Sequence, residues 1–277
     1  MPFSDLFLSR RLERAEGHAC LRFAEARRRL FPGSGADWIE CAGAYAVFDG
    51  AESPLTQSFG LGIFEPLTGS SLDEIESFFL ERGAPVLHEV SPLAGVAALS
   101  LLSARGYRPV EISNVLYRPL ASDATEIPPD IRVRISGPEE AQLWGSVNGS
   151  GWVQEHPELG DFLLQVGAIS SAREDSVSFL AELEGKPGAT GVLCMHDGVA
   201  LLGGSATDPE LRRRGLHKAL LGERMRYAFD HGCDLAMIAV EPGSSSQRNA
   251  ERDGFQVAYT RIKWRLYRRV GSRSGHS

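Results

Sequence analysis

The sequence lacks a long apolar run: Met1, Pro2, Phe3, Ser4 and Asp5 give way to Arg10 and Arg11 before any hydrophobic stretch forms. That start points away from a transmembrane helix or a secretory leader and toward the cytoplasm. Cysteine is scarce. Cys20, Cys41, Cys194 and Cys233 lie far apart, with no CxxC pair and no Cys/His spacing of a zinc site, so neither a disulfide framework nor a metal is expected. An excess of positive charge is also missing. The formal net charge of -7 argues against nucleic acid as a partner, although a local basic cluster can still hold an anion. Disorder-type composition is absent too, since 43% hydrophobic and 23% charged residues are those of a packed globular protein.

What is present is enough chain for two domains: 277 residues can bury two cores. Leu12, Ala15, Ala19, Leu21, Phe23, Ala24 and Leu30 recur at helical spacing and stop at Pro32 and Gly33, predicting a helix over 9–30. Strand-like runs at 38–48 and 57–64, parted by the turn-rich 49–54, predict a hairpin. A helix (72–82), a strand (85–90), a helix (93–105) and a strand (107–117) follow. Pro128 and Pro129 mark 121–130 as a linker.

The second half restarts with a strand (131–135) and helical stretches (138–147 and 161–169). An antiparallel meander (177–182, 191–195, 199–207) is punctuated by turns at 185–188 and 196–198. A helix (216–231), a strand (235–240), a short helix (246–253) and a last strand (255–266) close the pattern. His231 before Gly232 fits a helix C-terminus, and 269–277 reads as a disordered tail.

The halves end alike. Ala104-Arg105-Gly106-Tyr107 leads into a strand bearing Tyr117-Arg118, and Arg252-Asp253-Gly254-Phe255 leads into a strand bearing Trp264-Arg265. A tandem repeat of one fold follows, in the α/β (α+β) class, with domains at 1–120 and 131–268. Each is expected to be a mixed, mostly antiparallel sheet flanked by helices.

The stretch richest in chemistry is Ala206-Thr207-Asp208-Pro209-Glu210-Leu211-Arg212-Arg213-Arg214-Gly215-Leu216-His217-Lys218. A strand runs into an Arg/Gly turn that opens an amphipathic helix, so free backbone N–H groups and the positive helix end converge on one point. Such a point suits a phosphate or diphosphate. Gly215 keeps a Cβ out of the anion's way, while Arg212, Arg213, Arg214 and Lys218 raise the local potential. The competing reading is a solvated basic turn.

The stretch resembles the cofactor signature of the GNAT acetyltransferases, Q/R-x-x-G-x-G/A. Arg212 takes the Q/R position and Gly215 the glycine, while His217 stands where Gly or Ala is usual. The resemblance implies that the N–H groups of Arg213, Arg214, Gly215, Leu216, His217 and Lys218 cradle the diphosphate of acetyl-CoA or another short acyl-CoA. It further implies that Ala206 and Thr207 pair with the pantetheine amides, and that Ser246 and Asn249, on the short helix either could cap, reach the outer arm. Many members carry a tyrosine four residues before the Gly-Phe pair, which here is Ala250.

Acyl transfer needs an amine near the thioester, a base for its proton, a donor for the carbonyl oxygen and a proton for the sulfur. The carbonyl donor is expected in the backbone near Thr207 or Ala206. The strand 199–204 offers no carboxylate, so Glu241 is the first candidate base, with Asp208 and a water-mediated route behind it. A solvated strand-end carboxylate is the plainer reading of Glu241. Tyr259 could supply the proton to sulfur, against the plainer reading of a half-buried strand tyrosine. Trp152 and His156 sit where the family contacts its acceptor, though a packing tryptophan and a surface histidine fit equally.

At the equivalent place the first half reads Phe64-Glu65-Pro66-Leu67-Thr68-Gly69-Ser70-Ser71-Leu72-Asp73-Glu74. No arginine or lysine is present, and Asp73 and Glu74 would repel a diphosphate. This half is expected not to bind CoA and to wall the acceptor cleft. The reading is therefore an N-acyltransferase that moves an acetyl group to a small-molecule or peptide amine by direct attack, as a monomer or homodimer, with no membrane partner. Alternatives are a non-catalytic acyl-CoA-binding module and a tandem aminoacyltransferase that uses charged tRNA.

Overall fold

A computed structural model describes residues 4–122, 127–152 and 160–267. His156, the 269–277 tail and part of the linker lie outside the described residues. Among the described residues there are seven helices and eleven strands: α1 (Leu6–Leu30), β1 (Asp37–Cys41), β2 (Ala44–Phe48), β3 (Gln57–Phe59), α2 (Gly69–Leu80), β4 (Leu87–Val90), α3 (Gly95–Arg105) and β5 (Tyr107–Pro119) come first. The second half supplies β6 (Ile131–Ile135), α4 (Ala141–Trp152), α5 (Gly160–Ser171), β7 (Ser176–Leu183), β8 (Lys186–His196), β9 (Val199–Thr207), α6 (Leu216–Asp230), β10 (Leu235–Val240), α7 (Ser245–Arg252) and β11 (Gln256–Leu266).

All eleven strands join one sheet, in the order β1-β2-β3-β4-β11-β5-β10-β9-β8-β7-β6. Two parallel pairs stand in equivalent places, β3 with β4 and β9 with β10, and every other pairing is antiparallel. The last strand of each half completes the other half's sheet. Strand β5 pairs with β10 from Asn114↔Val240 to Pro119↔Leu235, while β11 pairs with β4 from Ile262↔Val90 to Arg265↔Leu87. At the centre β5 and β11 pair with each other. The repeat seen in the sequence is therefore built as a mutual exchange of final strands.

Alternating strand residues face two helical layers, as a pleated strand demands. Leu116, Leu193, Leu202 and Ala236 pack under Leu216, Leu220 and Ala228 of α6, and the equivalent face of the first half packs under Leu72, Ile75 and Phe79 of α2. On the other face lie α1, α4 and α5. Helix α1, about 37 Å long at the usual rise per residue, crosses both halves: Leu8 and Leu12 meet Val115, Val199 and Met237, Phe23 meets Leu180 and Val192, and Leu21 meets Val47 and Phe59.

Of the boundaries that differ from the sequence reading, three are set by left-handed backbone at turns. The run 38–48 is itself a hairpin, folded at Ala42 (φ 50) and Gly43 (φ 73), a pair of positive φ values that matches the twist of two-residue hairpins. Ala42 is a poor turn former, which hid the turn. Strand β3 ends at Phe59 because Gly60 and Gly62 adopt positive φ and bend the chain away. The turn placed at 185–188 is tighter, at Glu184 (φ 50) and Gly185 (φ 81), and Lys186 already begins β8. Among the described residues no helix is long and apolar enough to cross a membrane, and no His/Cys/Asp/Glu group is arranged to hold a metal ion. The four cysteines are free and buried.

Candidate functional site

The basic stretch follows β9. Asp208 opens a single helical turn, its N–H bonded to Gly188 O at 2.9 Å and its Oδ1 accepting from the Glu210 N–H at 2.9 Å. Its carboxylate thus holds the turn. Arg212 turns back toward the protein, donating from Nη2 to Gly151 O at 3.0 Å and from Nε to Thr207 O at 3.5 Å, so its side chain ties the loop to α4. Arg213 then adopts φ 64, a left-handed conformation that costs a non-glycine residue about 1 kcal/mol. Observed strain of this kind tends to sit at functional loops.

Helix α6 begins after Gly215, whose φ of 90 and ψ of -10 make it a left-handed N-cap without a side-chain hydrogen bond. The first helical bond runs from the Ala219 N–H to Gly215 O at 3.0 Å. The N–H groups of Leu216, His217 and Lys218 therefore precede any intrahelical acceptor, at the positive end of a 15-residue helix. Arg213, Arg214 and Lys218 are exposed around them, and Leu216 is buried. The histidine that departs from the usual small residue stays half-buried. Burial and the nearby Arg224 hold His217 below the ordinary imidazole range, against a smaller opposing effect of Asp253.

Strands β9 and β10 pair only through Val199↔Leu235, Ala200↔Ala236 and Leu201↔Met237. Beyond that they part, and the edge of β9 that carries Ala206 and Thr207 faces a cleft. On its other side β9 stays paired with β8, with an irregularity between Val192↔Gly203 and Thr190↔Ala206. This bulge is held from both faces. Asn148 of α4, buried, donates from Nδ2 to Gly204 O at 2.8 Å and to Thr190 Oγ1 at 3.0 Å. Arg224 of α6, also buried, donates to Gly203 O at 3.2 Å and to Ser205 Oγ at 2.8 Å.

Glu241 is exposed just past the end of β10, at the mouth of the cleft. Strand β5 of the first half reaches the same place, since Asn114 stands opposite Val240. Asn114 donates to Gln247 Oε1 at 3.2 Å and accepts from Thr260 Oγ1 at 2.6 Å, and Gln247 Oε1 also takes the Gly243 N–H at 2.7 Å. These three residues, missed in the sequence, join α7 to the wall of the cleft. The cap of α7 is Ser244, which accepts from the Gln247 N–H, rather than Ser246 or Asn249, because the helix starts one residue earlier than its composition implied. Ser246 is exposed, and half-buried Asn249 accepts from Arg252 at 3.3 Å. Trp152 ends α4, half-buried.

Tyr259 lies elsewhere. It stands on β11 opposite Val115 of β5, two strands away from β10, and its hydroxyl donates to Glu13 Oε1 of α1 at 2.9 Å. Burial and then the Glu13 charge push the phenol well above its ordinary value. The tyrosine therefore sits in a buried cluster under α1 that both halves share, with its hydroxyl committed to Glu13. There Glu13 Oε2 takes the Gly60 N–H at 3.2 Å, just beyond β3. Arg261 grips Glu16 with two bonds of 2.6 and 2.8 Å and lies 3.1 Å from Glu89. Desolvation, offset in part by Arg261, pushes Glu13 up to about 7.

Residues 144–255 match the model of the acetyltransferase (GNAT) family. No curated protein matches the chain. Among solved structures the chain is similar to a GCN5-related N-acetyltransferase from Kribbella flavida, at 18% identity and a TM-score of 0.64, over 90% of this chain and 96% of that one. It is also similar to a tandem GNAT protein from the clavulanic acid biosynthesis pathway (13% identity, TM-score 0.55, 80% and 78% of the two chains). A GCN5-related N-acetyltransferase from Sphaerobacter thermophilus gives 18% identity and a TM-score of 0.52, over 86% and 84%. At such identities the likeness is one of fold.

Proposed function

For a chain with the tandem GNAT fold, whose residues 144–255 form a domain of the GNAT acetyltransferase family, we propose acyl-CoA-dependent N-acylation, with acetyl-CoA as donor and a primary amine as acceptor. One observation carries this reading. The N-terminus of α6, capped by a glycine without a side chain to satisfy its amides, opens where β9 parts from β10.

The residues present fit such a carrier. The amides of Leu216, His217 and Lys218 and the loop of Arg213, Arg214 and Gly215 are suited to donate to diphosphate oxygens, and the exposed side chains of Arg213, Arg214 and Lys218 add positive potential. Arg212 contributes by shaping the loop. The stretch of β9 beyond Leu201, which β10 has left, is suited to pair at Ala206 and Thr207 with the amides of an extended arm. Ser246 and Asn249 face the role of outer contacts from α7. The carrier supplies an activated acyl group as a thioester.

Glu241 is the carboxylate best placed to accept the amine proton, directly or through water, because Asp208 already caps its turn. With Ala250 buried in the tyrosine position and Tyr259 bound to Glu13, solvent is the source of the proton for sulfur. The acceptor cleft is walled by both halves, through Asn114 and Thr260 on one side and Trp152 on the other. Calorimetry with CoA and acetyl-CoA, followed by thiol release on a panel of small amines and peptide N-termini, tests the proposal. Saturable binding with thiol release on at least one amine is expected. Binding without turnover on any amine would favour a non-catalytic carrier-binding module, and no binding at all would refute the reading.

A further inference from the structure

Arg224 is a buried cation without a buried anion. It is 1% exposed, and among the described residues no carboxylate pairs with it. Burial lowers it to about 10, with only Cys194 acting in the opposite sense. Burying a charge is costly unless every donor finds an acceptor, and here the acceptors are mostly backbone. Its Nε reaches Leu220 O at 3.4 Å, its Nη1 reaches Val192 O at 3.1 Å and Gly203 O at 3.2 Å, and its Nη2 reaches Ser205 Oγ at 2.8 Å.

The sheet is shaped to admit it. A Cβ on Gly191 would stand 2.7 Å from the Arg224 Cζ, so the guanidinium lies flat where only glycine leaves room. Three of its acceptors, at Val192, Gly203 and Ser205, belong to the irregular stretch of β8 and β9. From the opposite face Asn148 holds the carbonyl between them, Gly204 O. A bulge re-aims the groups beside it, and this one borders the edge of β9 that β10 has left.

We infer that Arg224 is a positioning residue for the transfer reaction: seated behind the β9 bulge, its guanidinium fixes the backbone of Gly203, Gly204 and Ser205, which leads directly into the Ala206–Thr207 stretch expected to hold the thioester carbonyl, and lends that place a permanent positive charge. This rests on the acyl-CoA reading above. A carbonyl polarised by preorganised dipoles and charge needs no reorganisation as negative charge develops on its oxygen. The guanidinium acts through Gly203 and Ser205, and does not touch the acyl group itself.

The test uses carbonyl-labelled acetyl-CoA bound to the full chain, read by infrared difference spectroscopy. In the native protein the carbonyl stretch falls below its value in solution. R224M loses this shift and R224K recovers part of it, while CoA affinity changes by less than about threefold because the diphosphate grip is elsewhere. With a reactive amine, kcat falls roughly 100-fold in R224M at nearly constant KM. A folded R224M that binds acetyl-CoA with the native carbonyl frequency overturns the inference. Should R224M not fold, S205A, which deletes one acceptor alone, carries the test with R224K: native frequencies in both overturn it. Absence of acetyl-CoA binding by the native chain, seen before any variant, removes the acyl-CoA reading and this inference with it.

Discussion

The N-termini of α2 and α6 occupy equivalent places, each following a strand that parts from its parallel neighbour, yet their ends are finished in opposite ways. Helix α2 is closed by its own side chains: Thr68 accepts from the Ser71 N–H and the Ser71 hydroxyl takes the Thr68 N–H in a capping box. Helix α6 has Gly215 at that position and no side-chain cap. Around α2 stand Asp73, paired with Arg105, and Glu74, whereas α6 is ringed by arginines and Lys218. Even the amide beyond β3 is taken, since Gly60 donates to Glu13. The same topology therefore leaves open amides, of the kind an anion would take, at one helix end and a self-satisfied helix end in the other half, and the difference lies in a few side chains at the cap.

The sharpest way to break this contrast is to spoil the open end. Gly215→Asp puts a side chain on a left-handed backbone, 3.2 Å at its Cβ from Ile131 Cδ1, and a negative charge at the amides. CoA affinity should fall by at least ~1,000-fold, measured by calorimetry on a variant whose fold is confirmed by its circular dichroism.

The next effect concerns the buried cluster of Glu13, Tyr259 and Arg261. Glu13 is raised from 4.5 to about 7, so the native state holds its proton more tightly than the unfolded chain does. Its contribution to stability is complete below pH 4.5 and is lost as pH rises through about 7. Glu13→Gln should flatten that decline and be more stable than the native chain by about 3 kcal/mol above pH 7, a gap that closes near pH 4.5. Denaturant unfolding across this range is the check, and a constant difference between the two proteins would count against the titration.

Smaller effects belong to the closed helix end. Thr68→Ala should cost about 1 kcal/mol of unfolding free energy and leave CoA affinity unaltered, because the cap it removes serves stability alone. Asp73→Asn should leave CoA affinity at the native value in the same titration. Weakened binding in either variant would mean that the first half takes part in holding the carrier.

Much of this contrast could be read in the amino-acid order. Arg212, Gly215 and the apolar rhythm after Leu216 announce a strand, a basic turn and a helix, and local chemistry decides all three. The repeated Gly106-Tyr107 and Gly254-Phe255 junctions announce the duplication. What stayed hidden depends on distant contacts. Nothing local says that β5 will complete the second half's sheet, and so nothing places Asn114 beside Val240. Tyr259 reads as a hydroxyl near the last strand's start, and only the packing of α1 shows that Glu13 claims it. Arg224 left one trace, since it stands four residues from both Leu220 and Ala228 on the buried face of α6, where a charge is out of pattern.

Whether one helix end of the duplicated fold, and only one, takes the anion is tested most directly by the stoichiometry of CoA binding. Titration calorimetry should give one CoA per chain for the native protein and for Asp73→Asn, and none for Gly215→Asp. Two CoA per chain, or binding retained in Gly215→Asp, would contradict a single site at α6.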